Sequence, residues 1–393
     1  MIQKKISLFF ATPLPLLLLG TFLFTTACSS TKNEPFVATH PNASDKPKNI
    51  ILMIGDGMGL TQISAAIYEN KRPTNFERFR HIGFHKSYAA GELITDSAAG
   101  ATAFACGIKT YNGAIGVNVD TIPQQSILEE AEIRGLTTGL IATAFIVHAT
   151  PAAFYGHQPI RTFHEQIAAD LLNVDVDFII GGGMKYFNRR DSDDRNLYKE
   201  LEDKGYTVSN YTEIPLEKID FRSNRKIIYF TADRHPVPVS AGRNYLPFAT
   251  KIAPRFLRAA NDNNGFFLMV EGSQIDWAGH GNEGQLMIEE TLDFDRAVGQ
   301  ALDFAKADGN TLVIVTADHE TGGFSINQGS KKGEIQTAFT TNGHTAALVP
   351  VFAYGPGAEN FKGIYENTAI YHKMRRLLDF DQAAASSQLN TRQ

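Results

Sequence analysis

Residues 49–59 have the sequence NIILMIGDGMG, in which a continuous apolar run ends at Asp56 in a glycine-containing turn. Five more apolar runs follow, separated by helix-like stretches: TTGLIAT (137–143), VDFIIGG (176–182), GFFLMVEG (265–272), TLVIVTA (311–317) and LVPVFAY (348–354). Continuous apolar runs of this length are typical of strands buried on both faces of a parallel sheet. The alternation with helices predicts an α/β fold, a three-layer sandwich around a large, mainly parallel sheet.

Acidic residues and a histidine stand at the carboxyl ends of three of these runs. Asp56 follows the first run, Glu271 lies at the end of the fourth, and the pair Asp318-His319 follows the fifth. Ligands of open α/β sheets bind just beyond the carboxyl ends of the strands. We therefore expect a polar site at this edge of the sheet. The helices are predicted over 58–68, 97–106, 124–134, 163–172, 247–261, 283–306 and 366–378.

The composition limits the possible classes of protein. The 393-residue chain is 43% hydrophobic, enough for a large buried core, and its net charge of −5 provides no basic field for nucleic acid. Its two cysteines, Cys28 and Cys106, cannot form a disulfide framework or a thiolate zinc site in the body of the protein. Any zinc must therefore be bound by histidines and carboxylates, as is typical of catalytic sites.

Residues 1–27 have the pattern of a targeting segment. Two lysines precede an apolar stretch, and small residues then lead to Cys28. The pattern resembles a bacterial lipoprotein signal, which predicts an exported protein, periplasmic or in the cell envelope, attached to a membrane by a lipid on Cys28. An uncleaved membrane anchor is the alternative, although Pro13 and Pro15 argue against a regular helix.

The remainder of the chain divides into a tether, one domain and a tail. Residues 28–47 are polar and contain proline, which is typical of a tether. We assign 48–380 to a single domain with surface insertions near 185–246 and 329–341, where polar and charged residues interrupt the alternation. We expect 381–393 to be a disordered tail.

The sequence ITDSAAGATA places Ser97 at the start of a predicted helix. The positive end of a helix dipole suits an incoming phosphate group. The serine has two interpretations. It belongs to the helix cap, either as the N-cap residue itself or as the neighbour of Asp96 in that cap, or else it is a nucleophile. Since no general base is adjacent to it, a nucleophilic serine here requires activation from elsewhere, and metal coordination can supply it.

Metal-ligand types recur in three further motifs. Asp276 and His280 are four residues apart in IDWAGH, so that one helical turn can direct both side chains at one ion. The motif TADH contains the pair Asp318-His319, and TNGHTA contains His344. Each motif is weak by itself, because a surface histidine or a solvated carboxylate is the common alternative.

The segment that begins with HATP adds candidates for hard-oxygen ligation and phosphate binding. His148 and Thr150 lie in this motif, and the threonine offers a hydroxyl oxygen. Arg161 is thirteen residues after His148 and is a candidate bidentate clamp for phosphate, with a surface ion pair as the alternative. The joint occurrence of all these motifs favours phosphate chemistry at bound metals.

Together and in this order, the motifs resemble those of alkaline phosphatase, the family of zinc- and magnesium-dependent phosphomonoesterases. The resemblance covers about residues 49–371 and is most specific in TDSAAGATA, EGSQIDWAGH and TADH. It implies that 48–380 is a catalytic domain with the fold of that family. The implied reaction is the hydrolysis of phosphate monoesters through a phosphoserine, with a homodimer as one possible assembly.

The resemblance also implies roles for particular residues. Ser97 corresponds to the serine that becomes phosphorylated, and Arg161 to the arginine that binds the phosphoryl oxygens. The implied ligands are Asp276, His280 and His344 for one Zn²⁺; Asp56, Asp318 and His319 for a second Zn²⁺; and Asp56, Thr150 and Glu271 for one Mg²⁺. His148 and Trp277 stand where the enteric bacterial pattern has aspartate and lysine, beside the magnesium ligands.

Two other functions are compatible with part of the pattern. The first is a phosphodiesterase or another hydrolase of the same superfamily, since similar metal sites do not determine the substrate. A sulfatase is disfavoured, because the motif C/S-x-P-x-R is absent around Ser97. The second is a lipoprotein that binds metal or phosphate without turnover, but such a protein needs no serine at the metal centre.

Overall fold

The computed structural model describes residues 46–222, 226–260 and 264–381. The strands are β1 Asn49–Gly55, β2 His81–Lys86, β3 Thr137–Phe145, β4 Phe178–Gly182, β5 Thr207–Asn210, β6 Ile227–Phe230, β7 Phe266–Gly272, β8 Thr311–Thr316, β9 Glu320–Thr321, β10 Ser325–Ile326, β11 Thr337–Ala338, β12 His344–Thr345, β13 Val349–Tyr354 and β14 Gly363–Glu366. The helices are α1 Leu60–Glu69, α2 Ser97–Cys106, α3 Ile127–Ile133, α4 Ala149–Ala152, α5 His164–Asp170, α6 Lys185–Asn188, α7 Leu197–Asp203, α8 Tyr245–Ala260, α9 Gln274–His280, α10 Gly284–Asp308 and α11 Thr368–Leu377.

Ten of these strands form one sheet in the order β14-β2-β13-β8-β1-β7-β3-β4-β6-β5. Its centre is parallel: β1 lies between β7 and β8, and β3 pairs with β7. All seven residues of β1 are buried, as the continuous apolar run predicts. The run LVPVFAY forms β13, which is antiparallel to both β2 and β8 and makes the sheet mixed.

Helices cover both faces of the sheet and create two cores. Ile50 and Leu52 of β1 pack into a core with α2, α3 and α11, whereas Ile51 and Met53 pack into a core with α1, α8 and α10. This division follows from the strand geometry, because successive side chains point to opposite faces. The predicted three-layer α/β sandwich is confirmed.

The predicted helices are all present, with differences at their ends. Helix α2 coincides with the prediction of 97–106, but α3 begins at Ile127 instead of residue 124. The side chain of Ser126 accepts a hydrogen bond from the Glu129 N–H, and the Glu129 carboxylate accepts one from the Ser126 N–H. This capping box sets the start of α3.

The segment 185–246 contributes to the sheet as well as to the surface. It contains β5 and β6, which extend the sheet beyond β4 through parallel pairing. These strands have four residues each, too few for the sequence pattern to reveal. In the other polar segment, 329–341, β11 pairs with β10 in a separate small sheet.

The targeting segment, Cys28, the tether as far as residue 45, and residues 382–393 lie outside the described residues. In the part of the chain that is described, no helix combines the length and apolar character needed to cross a membrane.

Candidate active site

The parallel register brings buried carboxylates together at the carboxyl edge of the sheet. Ile54 of β1 lies opposite Glu271 of β7, so that Asp56 emerges beside the end of β7, and Asp318 emerges from β8 on the other side of β1. Asp56, Glu271 and Asp318 are all fully buried. Burial raises the pKa of Glu271 to about 8, and burial together with the charges of Asp318 and Asp276 raises the pKa of Asp56. Carboxylates crowded in this way require a cation to remain ionised.

Ser97 is the first residue of α2 and faces these carboxylates. Its Oγ atom lies 3.4 Å from Asp56 Oδ1 and 3.3 Å from His319 Nε2, and the residue is 2% exposed. The N-cap of α2 is Asp96, whose side chain accepts a hydrogen bond of 2.9 Å from the Ala99 N–H. Ser97 is therefore the neighbour of the cap, and its hydroxyl is not needed to begin the helix.

Helix α9 and strand β12 bring a second group of ligand types together. His280 Nε2 lies 3.4 Å from Asp276 Oδ2, one helical turn away, and His344 Nε2 lies 3.5 Å from Asp276 Oδ1. The two Nε2 atoms of His280 and His344 are 3.0 Å apart. Burial opposes ionisation of Asp276, but hydrogen bonds from these histidines hold its pKa well below the usual range. The three side chains converge on one position.

The tautomers of these histidines suit metal binding. His280 Nδ1 lies 2.6 Å from the carbonyl oxygen of Asn342, and His344 Nδ1 lies 2.8 Å from that of Thr95. Each Nδ1–H can donate to its carbonyl, so that Nε2, which faces Asp276, becomes a ligand when a metal ion replaces its proton. Such main-chain hydrogen bonds orient the rings of metal-bound histidines.

His319 connects the two groups of ligands. It is fully buried, and its ring stacks on that of His344 with a centroid distance of 3.5 Å. Its Nε2 atom lies 3.5 Å from Asp56 Oδ1 and 3.3 Å from Asp318 Oδ2. Among the described residues, three sets have ligand atoms within 4.8 Å of one another: Asp276, His319 and His344; Asp56, Asp318 and His319; and Asp56, His148 and Glu271.

Unpaired polar atoms show that this donor set fits divalent cations. Within the described residues, hydrogen-bond partners are absent for Asp56 Oδ2, Asp318 Oδ2, Thr150 Oγ1 and both carboxylate oxygens of Glu271. An unpaired buried acceptor costs about 1–3 kcal/mol, and a charged one costs more. Histidine with carboxylate is a donor set for Zn²⁺, whereas the oxygens of Asp56, Thr150 and Glu271 suit Mg²⁺.

Arg161 is held beside the start of α2 by two neighbours. Its Nη1 atom donates to Asp96 Oδ2 at 2.9 Å, and its Nη2 atom lies 3.3 Å from His148 Nε2. Asp96 also accepts a hydrogen bond from the Gly113 N–H, and the Gly113 carbonyl oxygen accepts one from the Arg161 N–H, so that Gly113 links the two residues. Burial and the charge of Arg161 lower the pKa of His148. The guanidinium side chain is 26% exposed and retains donors for a ligand.

An aromatic cluster surrounds His148, and two of its members, Phe145 and His235, are not recognisable as site residues from the sequence. The ring of His235 lies 4.4 Å from that of Trp277 and is stacked at 4.0 Å on that of Phe145. His148 is 5.9 Å from both His235 and Trp277. His235 lies in the segment HPVP, and nothing in its local sequence connects it with residue 148 or 277.

Two further residues of the site, Glu320 and Thr321, lie immediately after Asp318-His319. Thr321 Oγ1 donates a hydrogen bond to Asp276 Oδ1 and lies 3.2 Å from His319 Nδ1. Glu320 is buried and joins several segments around the site. Their position next to a predicted ligand pair is the only signal that the sequence offers for them.

A serine hydroxyl that faces crowded carboxylates and imidazoles at the edge of an α/β sheet defines the class, a metal-dependent hydrolase. The family model described as alkaline phosphatase matches residues 47–334 and 329–380. Alkaline phosphatase 3 of Bacillus subtilis is 32% identical over 456 residues, which cover 94% of this chain and 97% of the relative. The chain therefore belongs to the alkaline phosphatase family and is a phosphomonoesterase.

Solved structures agree with this assignment. The alkaline phosphatase of the Antarctic bacterium TAB5 has 48% sequence identity and a TM-score of 0.79, covering 84% of this chain and 98% of that chain. A variant of that enzyme, with aspartate in place of a histidine, is 47% identical with the same TM-score and coverage, and was solved with Mg bound in a site named M3.

Proposed function

We propose that this enzyme hydrolyses small phosphate monoesters through a phosphoserine on Ser97, at a centre of two Zn²⁺ ions and one Mg²⁺ ion. The observation that carries the proposal is the position of the Ser97 hydroxyl, 3.4 Å from Asp56 and 3.3 Å from His319. Because Asp96 caps the helix, this hydroxyl is available for chemistry.

The proposed ligand sets follow the family resemblance, and the grouping of Asp56, Asp318 and His319 in the structure supports one of them. The ligands would be Asp276, His280 and His344 for one Zn²⁺; Asp56, Asp318 and His319 for the other; and Asp56, Thr150 and Glu271 for Mg²⁺. His148 and Trp277 would flank the Mg²⁺ set, since His148 lies within 4.8 Å of Asp56 and Glu271 through its ligand atom. Bound divalent ions supply Lewis acidity, which lowers the pKa of hydroxyl groups and stabilises developing charge on oxygen.

The proposed reaction consists of two successive displacements at phosphorus. Ser97 Oγ attacks phosphorus and the ester oxygen leaves with the alcohol, while Arg161 donates hydrogen bonds to the phosphoryl oxygens. Water next attacks the phosphoserine, releases inorganic phosphate and restores the serine hydroxyl. Each in-line displacement inverts the configuration at phosphorus, so the overall reaction retains it.

The test is the hydrolysis of a chromogenic phosphate monoester, beside the matching diester and sulfate, before and after chelation and after return of Zn²⁺ and Mg²⁺. We expect monoester turnover that falls with the chelator and recovers with both metals. Turnover mainly of the diester would contradict the proposed substrate class. No turnover with zinc bound would contradict catalysis and favour a binding protein.

We also propose export and lipid attachment at Cys28, and assembly as a homodimer. The pattern of residues 1–28 supports the first proposal, and the family resemblance supports the second. Replacing Cys28 by Ser should move the enzyme from the membrane to the soluble fraction of a producing bacterium.

Sedimentation of this Cys28→Ser protein in buffer without detergent tests the dimer. It should give twice the mass of one chain, and the mass of a monomer would contradict the dimer.

A further inference from the structure

Glu320 is a buried carboxylate that accepts hydrogen bonds from separate segments of the chain. It is 5% exposed. Gln62 Nε2 on α1 donates to its Oε1 atom at 2.7 Å, and so does the Phe324 N–H at 3.0 Å. The Gly323 N–H donates to its Oε2 atom at 3.2 Å, and the hydroxyl of Thr345 on β12 donates to the same atom. Each carboxylate oxygen of Glu320 thus accepts two hydrogen bonds.

The backbone around this carboxylate is also closely packed. A Cβ atom at Gly59 would overlap the Cγ atom of Glu320, so that the first turn of α1 closes directly on its side chain. At Gly57, which has a φ of 72°, a Cβ atom would lie 2.7 Å from Thr321 Oγ1. The chain after Asp56 therefore lies along the chain after Asp318 with no room for adjustment.

The segments that meet at Glu320 are those that carry the proposed ligands. Helix α1 follows Asp56 through a short turn, and residues 321–324 follow Asp318-His319. Strand β12 contains His344, and it pairs with β9 through His344 opposite Thr321 and Thr345 opposite Glu320. One carboxylate therefore fixes three backbone segments that approach the metal centre from different parts of the sequence.

We propose that Glu320 is a positioning residue, whose carboxylate holds the Asp56 turn, the Asp318-His319 turn and the His344 strand in their binding arrangement. The inference rests on the proposed function, because it concerns the same ligands. A carboxylate is the appropriate group, since it accepts at both oxygens. A glutamine would turn its N–H₂ group towards two of the four donors and leave them unpaired.

Loss of this carboxylate should release the ligands from their arrangement without removing any of them. Changes in residues that support metal ligands typically cost 10- to 100-fold in metal affinity. For Glu320→Gln we therefore expect zinc to dissociate at least about ten-fold faster and half-maximal activity to require at least about ten-fold more zinc. At saturating zinc, kcat should fall much less than this.

A matched control is available in Glu130. It is also 5% exposed, but it pairs with Arg134 and Arg375 on the helical layer and joins none of the segments that carry the proposed ligands. Glu130→Gln should lower the stability of the fold and leave the zinc requirement unchanged. A purely structural role of Glu320 would give the two variants the same behaviour.

The experiment compares wild type, Glu320→Gln and Glu130→Gln as zinc-loaded enzymes. Zinc release is followed with a chromogenic chelator, zinc dependence by titration of activity, and order of the chain by hydrogen exchange of 321–345 in the chelated proteins. Faster release and faster exchange in Glu320→Gln alone would support the inference. Release and exchange at the rates of Glu130→Gln would overturn it.

Two further variants distinguish a failure of this inference from a failure of the proposed function. Thr345→Val removes a single donor to Glu320 and should accelerate zinc release about three-fold, even where Glu320→Gln fails to fold; an unchanged rate would count against the inference. His344→Ala tests the proposed function itself. Full zinc content in His344→Ala would contradict the ligand assignment, whereas zinc loss there with normal release in Glu320→Gln would contradict the positioning role alone.

Discussion

The strand ends and the segments that cover them, which carry His235 and Glu320, contribute to the active site in different ways. Asp56, Glu271 and Asp318 each follow a buried strand, so the register of the sheet alone brings them together. His235 and Glu320, in contrast, have their places through contacts with Trp277, Gln62 and other side chains far away in the sequence. The strand ends supply the charge of the site, and the covering segments determine how rigidly that charge is held.

The largest effect is expected for Ser97→Ala, which removes the hydroxyl that faces the strand-end carboxylates. We expect kcat to fall by about 10³-fold or more and the phosphoenzyme to disappear, because no other side chain replaces the attacking oxygen. The fold should be preserved, since Asp96 caps the helix. Quenched reaction with a labelled monoester measures the phosphoenzyme.

Ser126→Ala is the matched control, because Ser126 is also a buried serine at a helix start. It should lower the free energy of unfolding by about 1 kcal/mol and leave the phosphoenzyme unchanged. A phosphoserine still trapped on another residue of Ser97→Ala would show that the nucleophile is assigned incorrectly.

Removal of a ligand outside the strand ends should have the next largest effect. His344→Ala and His280→Ala should each lose zinc and about 10²-fold in activity, because the three-residue set around Asp276 is then incomplete. Elemental analysis of the purified variants measures the zinc. His372→Ala, on the exposed surface of α11, is the control and should retain both zinc and activity.

The aromatic cluster tests how much the covering segments matter. His235→Ala leaves a space beside Trp277 and Phe145, and we expect about ten-fold weaker Mg²⁺ binding with a smaller change in kcat. Mg²⁺ titration of the zinc-loaded enzyme measures the effect. His235→Phe restores a ring and should recover most of the affinity. Equal losses in both variants would mean that the imidazole nitrogens matter instead of the packing.

The smallest effect is expected at the opposite, amino-terminal edge of the sheet, where Glu132 is half-buried. Burial raises its pKa to about 7 from an ordinary value of 4.5. Between these two values the folded protein binds more protons than the unfolded chain, so this group makes stability fall as pH rises from about 4.5 to about 7.

Glu132→Gln removes this titration and should raise the free energy of unfolding at pH 8 by about 2 kcal/mol, with little change near pH 4.5. The amide can keep both contacts, accepting from the Asp175 N–H and donating to the Thr138 hydroxyl, which now bond the carboxylate at 3.0 and 3.2 Å. Urea unfolding at pH 5 and pH 8 measures the difference. An equal gain at both values would exclude ionisation of Glu132 as the cause.

Much of the fold could be predicted from the sequence, because its main signals are local. The six apolar runs all became strands of the central sheet, and α2 was predicted to the residue. Strands β2, β5, β6 and β14 were missed, because four to six residues at the border of a sheet carry little pattern. The antiparallel direction of β13 could not be predicted either, since direction depends on the path of the chain between strands.

The sequence by itself determined the layered fold, the residue types available at the strand ends and the membership of the alkaline phosphatase family, because periodicity and short motifs are properties of neighbouring residues. Only the tertiary structure decided which of these side chains meet. Ser97 and His319 are 222 positions apart, yet they lie 3.3 Å from each other. The locations of His235 and Glu320 were likewise decided by packing between distant segments, which no local pattern records.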